Sequence, residues 1–233
     1  MPARIKIVSK PKKLYRYRAL TDKHDDPAGK TFKQEIKAIK DNYIWASNFK
    51  AMNDPMEGLY KGDDTFRERV DLYHALFQSK LNVGIVSFSE TPTNELMWAH
   101  YTNNMRGICI EYDVSKLLAE LDDDDQLVRM TYDEEMPVIS KTASIDSLAR
   151  SVLGRKNHRW SQEREWRLMT TKMNEVRYNN PECITRIILG TNLDNHQTDR
   201  FEELTQFEIK YIDVDDYKLT VVGSDDPPRF AVS

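Results

Sequence analysis

The apolar positions of this chain fall in short blocks, and their spacing changes from block to block. Alternation or a short unbroken apolar run marks a strand, while recurrence every three to four residues marks a helix. On that basis strands are expected over 14–20, 43–46, 83–89, 107–112, 127–132, 166–170, 184–189, 207–212 and 218–222. Helices are expected over 31–39, 65–79, 95–101, 114–121, 145–153 and 194–204. In the longest of these, Phe66, Val70, Tyr73, Leu76 and Phe77 recur at helical spacing. Thr93 or Asn94 stands where the 95–101 helix needs an N-cap, and Gly154 follows the 145–153 helix as a stop signal. Many strands interleaved with helices, the last two strands pairing with each other, predict an α+β fold of mixed, mainly antiparallel sheets with flanking helices.

The polar stretches between these blocks read as loops. They are 22–29, with Pro27 and Gly29, and the acidic run 122–125. The stretch 223–229, with Pro227 and Pro228, reads as part of a flexible tail. None of them divides two regimes of composition, so one domain is expected over 1–233, with a core from about 14 to 222. A hydrophobic share of 39% against 31% charged residues suits a globule rather than a disordered chain. The net charge of −4 excludes a basic field over the whole molecule for gripping nucleic acid. Charge is uneven, however: Arg4, Lys6, Lys10, Lys12, Lys13, Arg16 and Arg18 open the chain with no acid among them. Segment 1–13 is therefore read as a solvated basic end. Cys109 and Cys183 sit in apolar runs without metal-type spacing, so both are expected buried, reduced and unlinked. No apolar run approaches the roughly 18 residues of a membrane span, and no apolar signal core is seen, so the expected compartment is the cytoplasm.

Four motifs crowd polar and aromatic residues together. In Tyr15-Arg16-Tyr17-Arg18, strand alternation puts both arginines on one face, which suits an anion such as a pyrophosphate or the edge of a solvated strand. Asn53-Asp54-Pro55 is a turn signal, and Asp54 and Glu57 are either its caps or site carboxylates. Ser87 and Ser89 share a face at a strand end, with Trp98, His100 and Tyr101 following on a helix. That set would hold a planar ring, or be core with a backbone-bonded histidine. Glu163 and Glu165, between Trp160 and Trp166, would project from one face of an extended segment. Paired carboxylates on a rigid element serve acid–base work or stabilise a developing cation; alternatively they form cross-strand ion pairs. Glycine-rich phosphate loops, zinc-protease and nucleophile-elbow motifs are absent.

Taken together these motifs resemble a bacterial family, domain of unknown function 2971. Its pattern of Tyr-Lys/Arg-Tyr-Arg, Phe-Asn-Asp-Pro-x-Glu, Ser-Phe-Ser-Glu, Met-Trp-x-His-Tyr, Gly-Ile-x-Ile-Glu and Trp-x-x-Glu-x-Glu-Trp-Arg stands here at 15–18, 53–57, 87–90, 97–101, 107–111 and 160–167. Met52 replaces the family's phenylalanine. More distantly, the order arginine, Ser-x-Ser, Glu-x-Glu is similar to the arginine–serine–glutamate class of ADP-ribosyltransferases. That resemblance implies a split sheet with NAD as substrate in its cleft. Arg16 or Arg18 would hold the pyrophosphate, Ser87 and Ser89 would brace the site, and Trp98 or Tyr101 would stack on nicotinamide. Glu165 would hydrogen-bond the nicotinamide ribose as its glycosidic bond breaks, and the acceptor would be a protein, a nucleic acid or water. Asn53-Asp54-Pro55 and His100 have no role in that scheme, although His100 stands with Glu163 and Glu165 among the catalytic candidates. No metal is required by this scheme. Two other readings compete with it. A metal-dependent phosphodiester hydrolase would draw on Asp54, Glu57, His100, Glu163 and Glu165. A non-catalytic module would bind a ligand or partner in a defence or regulatory system.

Overall fold

The computed structural model describes residues 10–20, 29–140 and 143–223. The basic segment up to residue 9, the loop over 22–28 and the tail after 223 lie outside the described residues. The elements, in chain order, begin with β1 (Lys13–Ala19), α1 (Lys30–Lys40), β2 (Tyr43–Ala46), β3 (Lys61–Gly62), α2 (Asp64–Arg67), α3 (Val70–Leu81) and β4 (Gly84–Ser89). They continue with α4 (Glu95–Tyr101), β5 (Gly107–Asp113), α5 (Val114–Ala119), β6 (Gln126–Arg129), β7 (Thr131–Asp133), β8 (Val138–Ile139) and α6 (Ile145–Leu153). The last are β9 (Arg155–Asn157), β10 (Glu165–Thr170), β11 (Asn174–Arg177), β12 (Ile184–Leu189), α7 (Asn195–Glu202), β13 (Glu208–Asp215) and β14 (Lys218–Val222).

Eight strands form the main sheet, in the order β14-β13-β12-β5-β1-β4-β10-β6. Every pairing in it is antiparallel except β12 with β13. The fold is thus the expected α+β, with a large and mostly antiparallel sheet. One join is narrow: β1 meets β4 at a single register pair, Tyr15 opposite Ser89. Lower down, β4 bridges instead to Ser47 through Ile85. The sheet stays continuous but opens between β1 and β4.

Each face of the sheet carries a core. On one, Leu14, Val86, Phe88, Ile108, Ile110, Trp166 and Leu168 pack with Phe32, Ile36 and Ile39 of α1 and Ile44 of β2. The helix contributes these because its apolar residues recur on one stripe. On the other face Tyr17, Cys109 and Ile188 pack with Trp98 of α4. A separate cluster joins Phe66, Leu72 and Leu76 to Leu148 and Val152 of α6. Burying each such side chain contributes roughly 1.5–3 kcal/mol.

Two expected elements are divided. The helix over 65–79 is two, because Arg69 leaves helical geometry (φ −105°, ψ 80°). The break lets Phe66 bury fully among Tyr60 and Tyr73 while Val70, assigned to the same stripe, is 80% exposed. The strand over 127–132 is also two: β6 pairs with β10, whereas β7 pairs in parallel with β9. Cys109 and Cys183 are both buried and free, as expected. Among the described residues no helix is long and apolar enough to cross a membrane.

Candidate functional site

The opening between β1 and β4 is lined by the side chains that strand alternation sends to one face. Tyr15 lies opposite Ser89, Ser89 opposite Glu165, and Ser87 opposite Arg167. Tyr15, Tyr17, Ser87, Glu165 and Arg167 therefore share a face. Arg167 is only 1% exposed, a position no guanidinium holds without partners. It has them: Nη1 and Nη2 donate to the two oxygens of Glu57 at 2.7 and 2.8 Å. Nε donates to Glu165 Oε1 at 2.8 Å, Nη2 to Glu165 Oε2 at 3.1 Å, and Nη1 to the Leu153 carbonyl at 2.7 Å.

Glu163 reaches the same place by another route. It ends a 3-10 helix over His158–Glu163, and Arg164 then turns into the left-handed region at φ 47° before β10 begins. Both carboxylates are brought together by that turn rather than by strand alternation, which corrects the expected extended segment. Two bonds hold the turn in place. Ser89 Oγ donates to the Glu163 carbonyl at 2.8 Å, and Asn94 Nδ2 to the Gln162 carbonyl at 2.6 Å. The Glu163 carboxylate accepts from Tyr101 Oη at 2.6 Å and from Lys156 Nζ at 2.6 Å. Lys156 Nζ also reaches Glu165 Oε2 at 3.3 Å and lies 4.8 Å from the centre of the Trp160 ring. The cavity they enclose measures about 70 Å³, and its walls add Met52, Asn53 and Met97.

The two glutamates ionise differently. Burial raises both, but at Glu165 the charges of Arg167 and Lys156 outweigh burial and hold the carboxyl at about 2. At Glu163 burial wins over Lys156, with Glu165 adding to it, and the carboxyl sits above its usual value. Burial also raises the Tyr101 hydroxyl, and Glu163 reinforces it, so the hydroxyl remains a donor. One ionised and one more readily protonated carboxylate side by side is the arrangement that divides acid–base labour.

Other expected residues lie elsewhere. Arg16 and Arg18 are on the opposite face of β1, Arg16 donating to the Trp45 carbonyl at 2.9 Å and Arg18 Nε to Glu35 at 2.7 Å. They cannot share a ligand contact with Glu165, because alternation in one strand separates them from Tyr15 and Tyr17. Trp98 is fully buried, its indole N–H donating to the Pro92 carbonyl at 2.7 Å and its ring edge-on to Tyr17. It is core, and unlike Tyr101 it does not line the cavity. Ser89 is buried in its bond to the Glu163 turn. His100 is exposed on α4 and does not line the cavity either. Asp54 caps its turn by accepting from the Met56 N–H at 2.9 Å. The metal reading loses its donor set, since Glu57 and Glu165 are held by Arg167 and Glu163 by Lys156. Among the described residues no group of three His, Cys, Asp or Glu is placed to hold a metal ion.

Sequence reasoning missed Lys156, which nothing in Gly154-Arg155-Lys156-Asn157 distinguishes from a surface lysine. Arg167 closes the motif over 160–167, and an Arg two residues after a strand Glu shares its face and is a natural partner.

Five of the six motifs that gave the family resemblance thus send residues to one polar cluster, while Glu111 of the Gly107–Glu111 strand pairs instead with Lys13 and Arg186. Residues 97–168 match the model of the family described as Protein of unknown function (DUF2971). Over that segment the chain is similar to the DUF2971 family. That segment runs from α4 to β10 and contains Tyr101, Lys156, Glu163, Glu165 and Arg167, whereas Glu57 and Ser87 come from before it. No curated protein and no solved structure matches the chain.

Proposed function

We propose that this protein is an enzyme that cleaves the nicotinamide glycosidic bond of NAD, passing the ADP-ribosyl group to an acceptor or to water. One observation carries the reading: Glu163 and Glu165 share Lys156 at the wall of a tyrosine-lined cavity, with their ionisation displaced in opposite directions. In such a cleavage the C1′–N bond breaks, its electron pair leaves with neutral nicotinamide, and positive charge develops on the ribose. Glu165, ionised at any physiological pH, stabilises that charge. Glu163, with its raised carboxyl, accepts the proton the attacking hydroxyl or water must lose, as a base nearer neutrality does best. Tyr101 and Lys156 position Glu163 through the bonds already described. A cavity of about 70 Å³ admits the end of a ligand rather than a whole dinucleotide. The reading therefore places only the reacting end inside, with the rest of NAD beyond the mouth.

Incubation with NAD and chromatographic detection of nicotinamide tests this directly. Release by wild type is expected, with a loss of about 100-fold or more in Glu165→Gln. Glu163→Gln is expected to lose a similar factor and the rise of rate with pH. No nicotinamide from wild type, or an undiminished rate in Glu165→Gln, overturns the proposal.

A further inference from the structure

The far face of β1 holds a second pocket that plays no part in that reading. It measures about 160 Å³ and is lined by Arg16, Arg18, Glu35, Tyr43, Trp45 and Tyr112, with apolar walls from α1 and β5. That is about the size of an engineered cavity of ~150 Å³ that takes a benzene ring. Its charges do not balance. Arg18 is paired with Glu35 through Nε at 2.7 Å and through Nη2. Arg16 is 8% exposed, and the bond shown for it is to the neutral Trp45 carbonyl at 2.9 Å. Among the described residues Arg16 forms no ion pair. Two guanidiniums facing one carboxylate leave the pocket with one excess positive charge, close to buried groups. Burial, with Arg18 beside it, lowers the Arg16 guanidinium to about 10, which is the signature of a cation short of an anion. Tyr178, whose hydroxyl is buried without a partner, lies within electrostatic reach of the same guanidinium. A buried cation is costly unless paired, and no side chain here pairs it.

We propose that this pocket binds a small phosphate monoester, its phosphoryl group on Arg16 and its flat body against Trp45. Guanidinium forks match phosphate oxygens in pairs. Trp45 is 44% exposed at the rim, so a ring entering behind the phosphate finds an aromatic surface. The ligand is a monoester rather than a dinucleotide because the volume takes one phosphoryl head inside, with a single ring reaching Trp45 at the rim, and leaves no room for a second nucleotide. The site lies across the sheet from the glutamate pair, so it stands or falls independently of NAD cleavage.

The four tryptophan indoles give a readout in the wild-type protein. Phenyl phosphate and inorganic phosphate are titrated separately while the indole N–H resonances are followed, with Trp45→Phe identifying that of Trp45. Phenyl phosphate is expected to move the Trp45 resonance saturably and leave that of Trp160, beside the glutamates, in place. Inorganic phosphate is expected to bind more weakly and move Trp45 less. Arg16→Gln should weaken binding roughly tenfold or more, and Glu165→Gln should leave it unchanged. Glu35→Gln removes the competing carboxylate and should tighten binding several-fold, a gain that no folding defect can mimic. The proposal is overturned if Trp45 does not respond, if the uncharged benzyl alcohol binds as well as phenyl phosphate, or if Glu35→Gln fails to tighten binding.

Discussion

At the scale of single residues, the glutamate pair makes acid stability a readout of the site. Glu165 has its carboxyl at about 2 in the folded chain against a usual 4.5. A depressed value means the folded state favours the ionised form, so its contribution is complete above the usual value and is lost as pH falls towards 2. Glu163 has the opposite sign. Its raised carboxyl lets the folded state hold a proton the unfolded chain has released, so stability falls as pH rises through that window. Glu165→Gln should cost about 3–5 kcal/mol at neutral pH, because Arg167 and Lys156 lose their shared counter-charge. It should also flatten the acid limb of the stability curve, whereas Glu163→Gln should leave that limb and remove the fall above it. Urea unfolding in a pH series measures both, and an unaltered acid limb in Glu165→Gln would show that its carboxylate is not the depressed one.

At the scale of elements, α4 is the part that aims Tyr101. Its start is fixed twice. Asn94 Oδ1 accepts the Met97 N–H at 3.1 Å as N-cap, and Asn94 Nδ2 holds the Gln162 carbonyl of the Glu163 turn. Tyr17 Oη adds a third tie, donating to the Thr91 carbonyl at 2.8 Å. Asn94→Ala should therefore cost more than the ~1 kcal/mol of an ordinary cap, nearer ~2 kcal/mol. Asn94→Asp, which keeps the cap but not the donor, should recover only the cap's share. Thermal or urea unfolding of the two variants separates the contributions; an Asn94→Asp protein as stable as wild type would show that the bond to Gln162 contributes nothing. The cap itself was legible, since Asn before a helical apolar pattern has few other uses. The tie to Gln162 was not, since it joins residues far apart in sequence. The same contrast explains why α2 and α3 read as one helix: periodicity continues across Glu68 and Arg69, and only burial of Phe66 demands the break.

At the scale of the whole molecule, the sheet separates two charged sites. Glu57, Glu163, Glu165, Lys156 and Arg167 form one connected cluster on one face. Arg16, Arg18 and Glu35 form another on the other. The two share no bonding partner, so Arg16→Gln and Glu165→Gln should add, with a coupling below about 0.5 kcal/mol. Glu57→Gln and Glu165→Gln both act on Arg167 and should couple by about 0.5–3 kcal/mol. Double-mutant cycles in urea measure both; strong coupling across the sheet would mean that the faces are not independent.

Local pattern was enough to determine the helix and strand character of most of the chain, the α+β class, the burial of both cysteines and the motifs of the site. Those follow from side-chain period, capping chemistry and transfer from water, which act between residues near in sequence. The tertiary structure alone decided which motifs meet. Alternation in β1 was readable from Tyr15-Arg16-Tyr17-Arg18, but which face would carry Glu165 depended on the pairing of β1 with β4 and β4 with β10. That pairing put the tyrosines with the glutamates and sent the arginines across the sheet. Lys156, from outside the quoted motifs, became the cation between Glu163 and Glu165 for the same reason: a buried charge is defined by its neighbours in space, and chain order does not encode them.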